Sequence, residues 1–177
     1  MKYVALLRGI NVGGNNKVDM KQLVETMNEA GFDNVSTYIN SGNIFFDSDK
    51  SESKLVNSIE RLIKDEFNLK INVLLRNKEN IDKLVQSIPA DWRNGHDMKC
   101  DVMFLWDSYN DKEVLDMITI KPNIDDVRYV DGALIWKVDR KNVTKSGMTK
   151  IVGTELYRNM TVRNCNTVRK IKERLSS

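Results

Sequence analysis

Residues that build metal and redox sites are scarce in this chain. It holds one histidine, His96, and two cysteines, Cys100 and Cys165, among 177 residues. A structural zinc site takes about four nitrogen or sulfur ligands and a catalytic one about three, so no metal site is expected. The cysteines form no C-x-x-C pair and read as small buried hydrophobes. No apolar run approaches the ~18 residues of a spanning helix, so no membrane partner is expected. The opening MKYVALLRG is too short for a signal peptide, because its apolar stretch ends at Arg8. A cytoplasmic location follows as the expectation.

Catalytic signatures are equally thin. His96 stands alone in a polar stretch and reads as exposed rather than as a general base. No G-x-S-x-G elbow occurs. Acidic pairs such as Asp65–Glu66 and Asp125–Asp126 are adjacent in sequence, which points their carboxylates in different directions. Catalytic residues stay unassigned, and no cofactor is expected.

What is present describes a folded domain. Hydrophobic residues make up 41% and charged residues 30%, which suits a packed core under a solvated surface. Net charge is +3, unevenly spread: Lys137 to Ser177 carries eleven basic residues against three acidic, and the rest carries seventeen against twenty-two. A basic end on an acidic body attracts phosphate or nucleic acid, or else is a solvated Lys-rich helix.

Hydrophobic periodicity sets the element order. Lys2–Leu7 is a short apolar strand. Met20, Leu23, Val24 and Met27 mark one helix face, with Asp19 and Gln22 placed as a capping box and Gly31 as a stop. Asn34–Ile39 and Asn43–Asp47 are strands around an Asn40–Ser41–Gly42 turn. Leu55, Ile59, Leu62, Ile63 and Phe67 mark a second helix, and Ile71–Leu75 a further strand. The order β-α-β-β-α-β is the ferredoxin-like one. Ile81–Ile88 is a third helix, stopped by Pro89, and Ala90–Lys99 is a connector.

A second pass then begins. It has a strand at Cys100–Trp106, a helix at Asn110–Ile118, and strands Val127–Val130 and Ala133–Val138 around Asp131–Gly132. Asp139–Gly153 is a basic loop, followed by helical pieces at Glu155–Met160 and Asn166–Leu175. The expected fold class is α+β, with two ferredoxin-like units in one chain. The second is incomplete, its last strand missing or replaced by helix. The expected organisation is 1–77 as the first unit, 78–99 as helix and connector, and 100–177 as the second unit.

The sequences ALLRGINVGG (Ala5–Gly14), Val18–Asp19–Met20, Gly31–Phe32, TYINSGNIFF (Thr37–Phe46) and TVRNCNTVRK (Thr161–Lys170) resemble the bacterial family called domain of unknown function 1697 over nearly the whole chain. The family's usual pattern has an aromatic residue where this chain has Cys165. The resemblance implies ferredoxin-like repeats and adds little about chemistry.

Candidate ligand residues gather in three places. The loop from Arg8 to Lys17 follows a strand and precedes a helix, where backbone amides and a helix dipole favour an anion. Gly9 and Gly14 have P-loop separation, but Asn15 and Asn16 replace the expected Lys and Ser/Thr, and G-x-G-x-x-G is absent. The loop is either a connector needing glycine or an anion contact through Arg8, Gly9, Asn11, Gly13, Gly14 and Lys17. Ser41 and Asn43 form a hairpin turn or a polar cluster beside that loop, since the first and third strands are neighbours in this topology. Arg158, Arg163 and Asn164 precede the last helix, where they either cap it or meet a phosphate or base edge. Three function classes follow: a binding module for a nucleotide or nucleic acid, an enzyme acting on a small anionic substrate, or a protein-interaction scaffold.

Overall fold

The computed structural model describes all of residues 1–177. Two compact units emerge: residues 1–79 with 173–177, and residues 80–172.

In the first unit, strand β1 (Lys2–Leu7) leads through the glycine-rich loop into helix α1 (Met20–Glu29). Strands β2 (Asp33–Tyr38) and β3 (Asn43–Asp47), helix α2 (Glu52–Phe67) and strand β4 (Val73–Asn77) follow. The sheet order is β2-β3-β1-β4, antiparallel throughout. This is the ferredoxin-like arrangement expected from the periodicity.

Asp19 caps α1 by accepting from the Lys21 and Gln22 amides at 2.9 and 3.1 Å, a cap worth about 1 kcal/mol. The capping box is only half made, because the Gln22 side chain donates to Glu66 instead. Tyr3, Ala5 and Leu7 of β1 point inward, with Ile44 and Phe46 of β3, onto Leu23, Met27, Leu55, Ile59 and Ile63 of the helices. The alternate residues face the other side, yet Val4, Leu6, Phe45 and Leu74 are 6% exposed or less. Within this unit Arg174 lies against that outer side, its guanidinium 5.0 Å from the Tyr38 ring centre and 5.8 Å from that of Phe45.

In the second unit the residues from Asn80 continue helix α3 (Lys78–Gln86). Strands β5 (Met98–Leu105), β6 (Asp125–Val130) and β7 (Ala133–Asp139), the short helix α4 (Glu155–Arg158) and strand β8 (Met160–Asn164) follow. Helix α5 (Cys165–Ser176) ends the chain. The sheet order β6-β7-β5-β8 reproduces that of the first unit.

The expected missing strand is therefore present, as Met160–Asn164 pairs antiparallel with β5 from Leu105↔Met160 to Asp101↔Asn164. The chain does end in helix. The expected helix at Asn110–Ile118 is replaced by 3-10 turns at Asp107–Tyr109 and Lys112–Met117. Asp111 caps the second of these by accepting from the Glu113 amide at 2.9 Å. The Asp139–Gly153 loop also winds into 3-10 turns, Arg140–Lys145 and Gly147–Lys150.

Asp125 anchors that stretch. Its carboxylate accepts from the Trp136 indole, the Ser146 hydroxyl, and the Lys121 and Gly147 amides. Position 147 must be glycine, because a Cβ there would stand 1.7 Å from the Thr119 carbonyl oxygen.

Candidate functional site

The first unit gathers its candidate residues on one rim. β1 and β3 are antiparallel with Leu6 opposite Asn43, so the end of β1 meets the start of β3. The Leu7 amide donates to Gly42 O at 2.9 Å, and the Arg8 amide to Asn72 O at 3.1 Å.

Beyond Arg8 the loop closes on itself as a small hairpin. The Asn11 amide donates to Asn16 O and the Asn15 amide to Val12 O, at 3.1 and 3.0 Å. Gly13 and Gly14 form its tip with φ of 57° and 79°, the pair of left-handed residues that a tight two-residue turn needs. Ile10 is buried and pins the loop to the core.

Asn11 is the clasp of this rim. Its Nδ2 donates to Val18 O at 3.0 Å and to Asn40 O at 2.9 Å, and its Oδ1 accepts from the Val18 amide at 2.9 Å. One side chain thus ties the glycine-rich loop to the start of α1 and to the β2–β3 turn. The clasp leaves an open depression of about 590 Å³ lined by Asn11, Gly14, Lys17, Asp19, Lys21 and Asn40, among others. Lys17 and Lys21 are exposed there, and Arg8 is half-buried nearby in sequence.

Asn43 is fully buried, and its Nδ2 donates to Tyr38 O and to Ser41 Oγ at 3.0 and 3.2 Å. Ile39, in the same turn, is held at φ 52° and is half exposed. A β-branched residue rarely adopts that left-handed conformation.

In the second unit Arg163 sits on β8 opposite Val102 and is 7% exposed. Its guanidinium donates to Thr161 Oγ1 at 3.0 Å and to Val162 O at 2.8 Å. Burial pulls its pKa down to about 10, so it is charged at neutral pH. Asn164 caps α5 by accepting from the Thr167 amide at 2.9 Å. Arg158 is exposed and donates to Gly153 O at 3.2 Å. The structure therefore gathers Arg8, Gly9, Asn11, Gly13, Gly14, Lys17, Ser41 and Asn43 on the first unit's rim. Arg158, Arg163 and Asn164 belong to the second unit.

An arginine on β4 escaped the sequence reading. Arg76 stands opposite Val4 as Arg163 stands opposite Val102. Its guanidinium donates to the carbonyl of the preceding residue, Leu75, at 2.8 Å, as Arg163 does to Val162. The readable signal was a short repeat, Arg76–Asn77 before α3 and Arg163–Asn164 before α5.

The rim is repeated too. The Leu105 amide donates to Gly132 O at 2.9 Å, and Asn110 clasps the β6–β7 turn through the Gly132 amide, Asp131 and the Tyr129 hydroxyl. The first unit's loop differs in carrying Arg8 and the exposed Lys17, where the second unit's stretch Asp107 to Glu113 holds three acidic residues and Lys112.

The chain is similar, at 28% identity, to the conserved bacterial protein SP0830 of Streptococcus pneumoniae, whose solved structure it matches with a TM-score of 0.84 over 98% of both chains. No curated protein matches. A family model described as protein of unknown function matches residues 1–136, which include the rim and both clasps; Thr161–Lys170 lies beyond them. The chain belongs to that family, DUF1697.

Proposed function

We propose that this chain is a binding module for a phosphate-bearing ligand, a nucleotide or nucleic acid, received at the rim of the first unit. One observation carries the reading. The Asn11 clasp holds the glycine-rich loop against the β2–β3 turn and leaves Lys17 and Lys21 exposed along an open depression. Exposed lysines along a loop whose backbone is already held attract phosphate with less backbone ordering at binding. The strained Ile39 at the edge of the same rim supports it, because left-handed β-branched residues concentrate at working surfaces.

In this reading Asn11 and Asn43 are framework, since their amides are engaged within the rim. Lys17, Lys21 and Arg8 supply the charge. The basic C-terminal segment adds long-range attraction, and the setting is the cytoplasm. The outer sheet face of the first unit is a poor stacking platform, because its apolar residues are buried and Arg174 already lies over Tyr38 and Phe45. No helix is long and apolar enough to cross a membrane.

The test is a titration of the full chain with nucleoside triphosphates and with fluorescent single-stranded RNA and DNA. Neutralising two phosphates predicts affinity about tenfold weaker from about 50 to about 200 mM salt. Lys17→Gln with Lys21→Gln flattens that dependence. Salt-insensitive binding, or equal binding by the double variant, overturns the reading.

A further inference from the structure

Cys100 and Cys165 belong to the second unit and have no part in the reading above. Both are free thiols and fully buried. β5 and β8 run antiparallel with Asp101 opposite Asn164. Cys100 precedes Asp101 and Cys165, the first residue of α5, follows Asn164, so the two cysteines are neighbours at the end of this pairing. A disulfide spans roughly 4.4–6.8 Å between Cα atoms, close to the about 4.5–5.5 Å of the paired residues next to them, Asp101 and Asn164.

The two sulfurs have unequal surroundings. Arg169, one turn along α5, brings a guanidinium nitrogen within 3.7 Å of Cys165 Sγ. Arg169 is itself fixed by Trp92 O at 2.6 Å and Pro89 O at 3.0 Å. The hydrogen bond from Cys100 is the largest influence on Cys165 and lowers its pKa, Arg169 adding to it against burial and the Asp101 carboxylate. The same hydrogen bond, with burial, raises Cys100. Cys165 is therefore the sulfur of the pair that ionises first.

We propose that Cys100 and Cys165 form a dithiol that a small hydroperoxide closes to a disulfide, with Cys165 attacking and Cys100 resolving. The Cys165 thiolate attacks a peroxide oxygen; an S–O bond forms, the O–O bond breaks, and the departing hydroxide takes up a proton to leave as water. The Cys100 sulfur then loses its proton and attacks the sulfenic sulfur; an S–S bond forms, the S–O bond breaks, and a second water leaves. Two thiols give up two electrons, and one hydrogen peroxide is reduced to two waters. The product ties β5 to the start of α5.

The full chain is treated with hydrogen peroxide, quenched, denatured, alkylated and weighed intact. The expected product is a monomer lighter by two hydrogens that takes no alkyl group, and a phosphine reductant restores both thiols. Peptide mapping joins Cys100 to Cys165. Cys100→Ser accumulates a sulfenic acid at Cys165 that dimedone traps, whereas Cys165→Ser leaves Cys100 unreacted. The wild-type measurement stands without either variant. Two alkylated thiols after peroxide, a link between chains, or a first sulfenic acid on Cys100 overturns the proposal.

Discussion

Removing the Asn11 side chain tests whether one residue organises the rim. Asn11→Ala deletes three hydrogen bonds, two of them partly buried, to Val18 O, Asn40 O and the Val18 amide. At about 0.5–1.5 kcal/mol each, with the exposed one at the low end, the loss is about 2–3 kcal/mol. Alanine must also hold φ 53°, which adds about 1 kcal/mol.

Asn11→Gly loses the same bonds without that backbone penalty. It is about 0.5 kcal/mol milder once its freer unfolded chain is counted. Asn11→Asp tolerates the backbone and keeps the acceptor for the Val18 amide, but turns a carboxylate toward two carbonyl oxygens. It is expected to be at least as harmful as alanine. Tryptophan fluorescence is the wrong assay, because Trp92, Trp106 and Trp136 all lie in the second unit. Far-UV circular dichroism in urea reports the stability change, and amide exchange at Val18 reports the clasp directly. A variant within about 0.5 kcal/mol of wild type, with Val18 still protected, would refute the clasp.

Further outcomes follow from the same geometry. Gly42→Ala places a Cβ 2.8 Å from Leu7 Cβ and 2.9 Å from Ile10 Cδ1 at φ 81°, so urea denaturation is expected to show a loss of about 2–3 kcal/mol. Ordinary stability in that variant would mean the turn moves freely. Asp125 is pushed up by burial, but its four donors outweigh that and hold its pKa below the usual carboxylate value. A depressed folded-state pKa contributes stability above about pH 4 that is lost as pH falls through the folded value. Asp125→Asn is therefore expected to be less stable at neutral pH and to lose less on acidification. An unchanged acid-unfolding profile would contradict that assignment.

How far the sequence revealed this molecule depended on the element. The first unit was legible because its strands are apolar runs ended by glycine and its helices show clean 3.6-residue faces, as with Leu55, Ile59 and Ile63. Strand β8 was not legible, because Thr161 and Arg163 are polar yet buried, so the run reads as a cap rather than as a core strand. Aligning the two Arg–Asn pairs would have recovered it from β4. The segment Asn110–Ile118 has helical spacing, but Asn110 is drawn to the β6–β7 turn and Asp111 caps a 3-10 turn instead.

At the rim the glycines announced a loop with special geometry. The saturation of Asn11 was not readable, since nothing in a linear sequence shows that an amide already has three partners. The nearness of Cys100 to Cys165 was equally hidden, because it depends on the register of a strand the sequence did not reveal.

The central claim is that a phosphate-bearing ligand is received at the first unit's rim. An NMR titration of the ¹⁵N-labelled full chain with a nucleoside triphosphate and with a short RNA tests it most directly. Binding at the rim predicts saturating shifts concentrated on Gly9–Lys17, Lys21 and Asn40–Gly42, abolished by Lys17→Gln with Lys21→Gln. Shifts confined to other surfaces, or none at millimolar ligand, would contradict it.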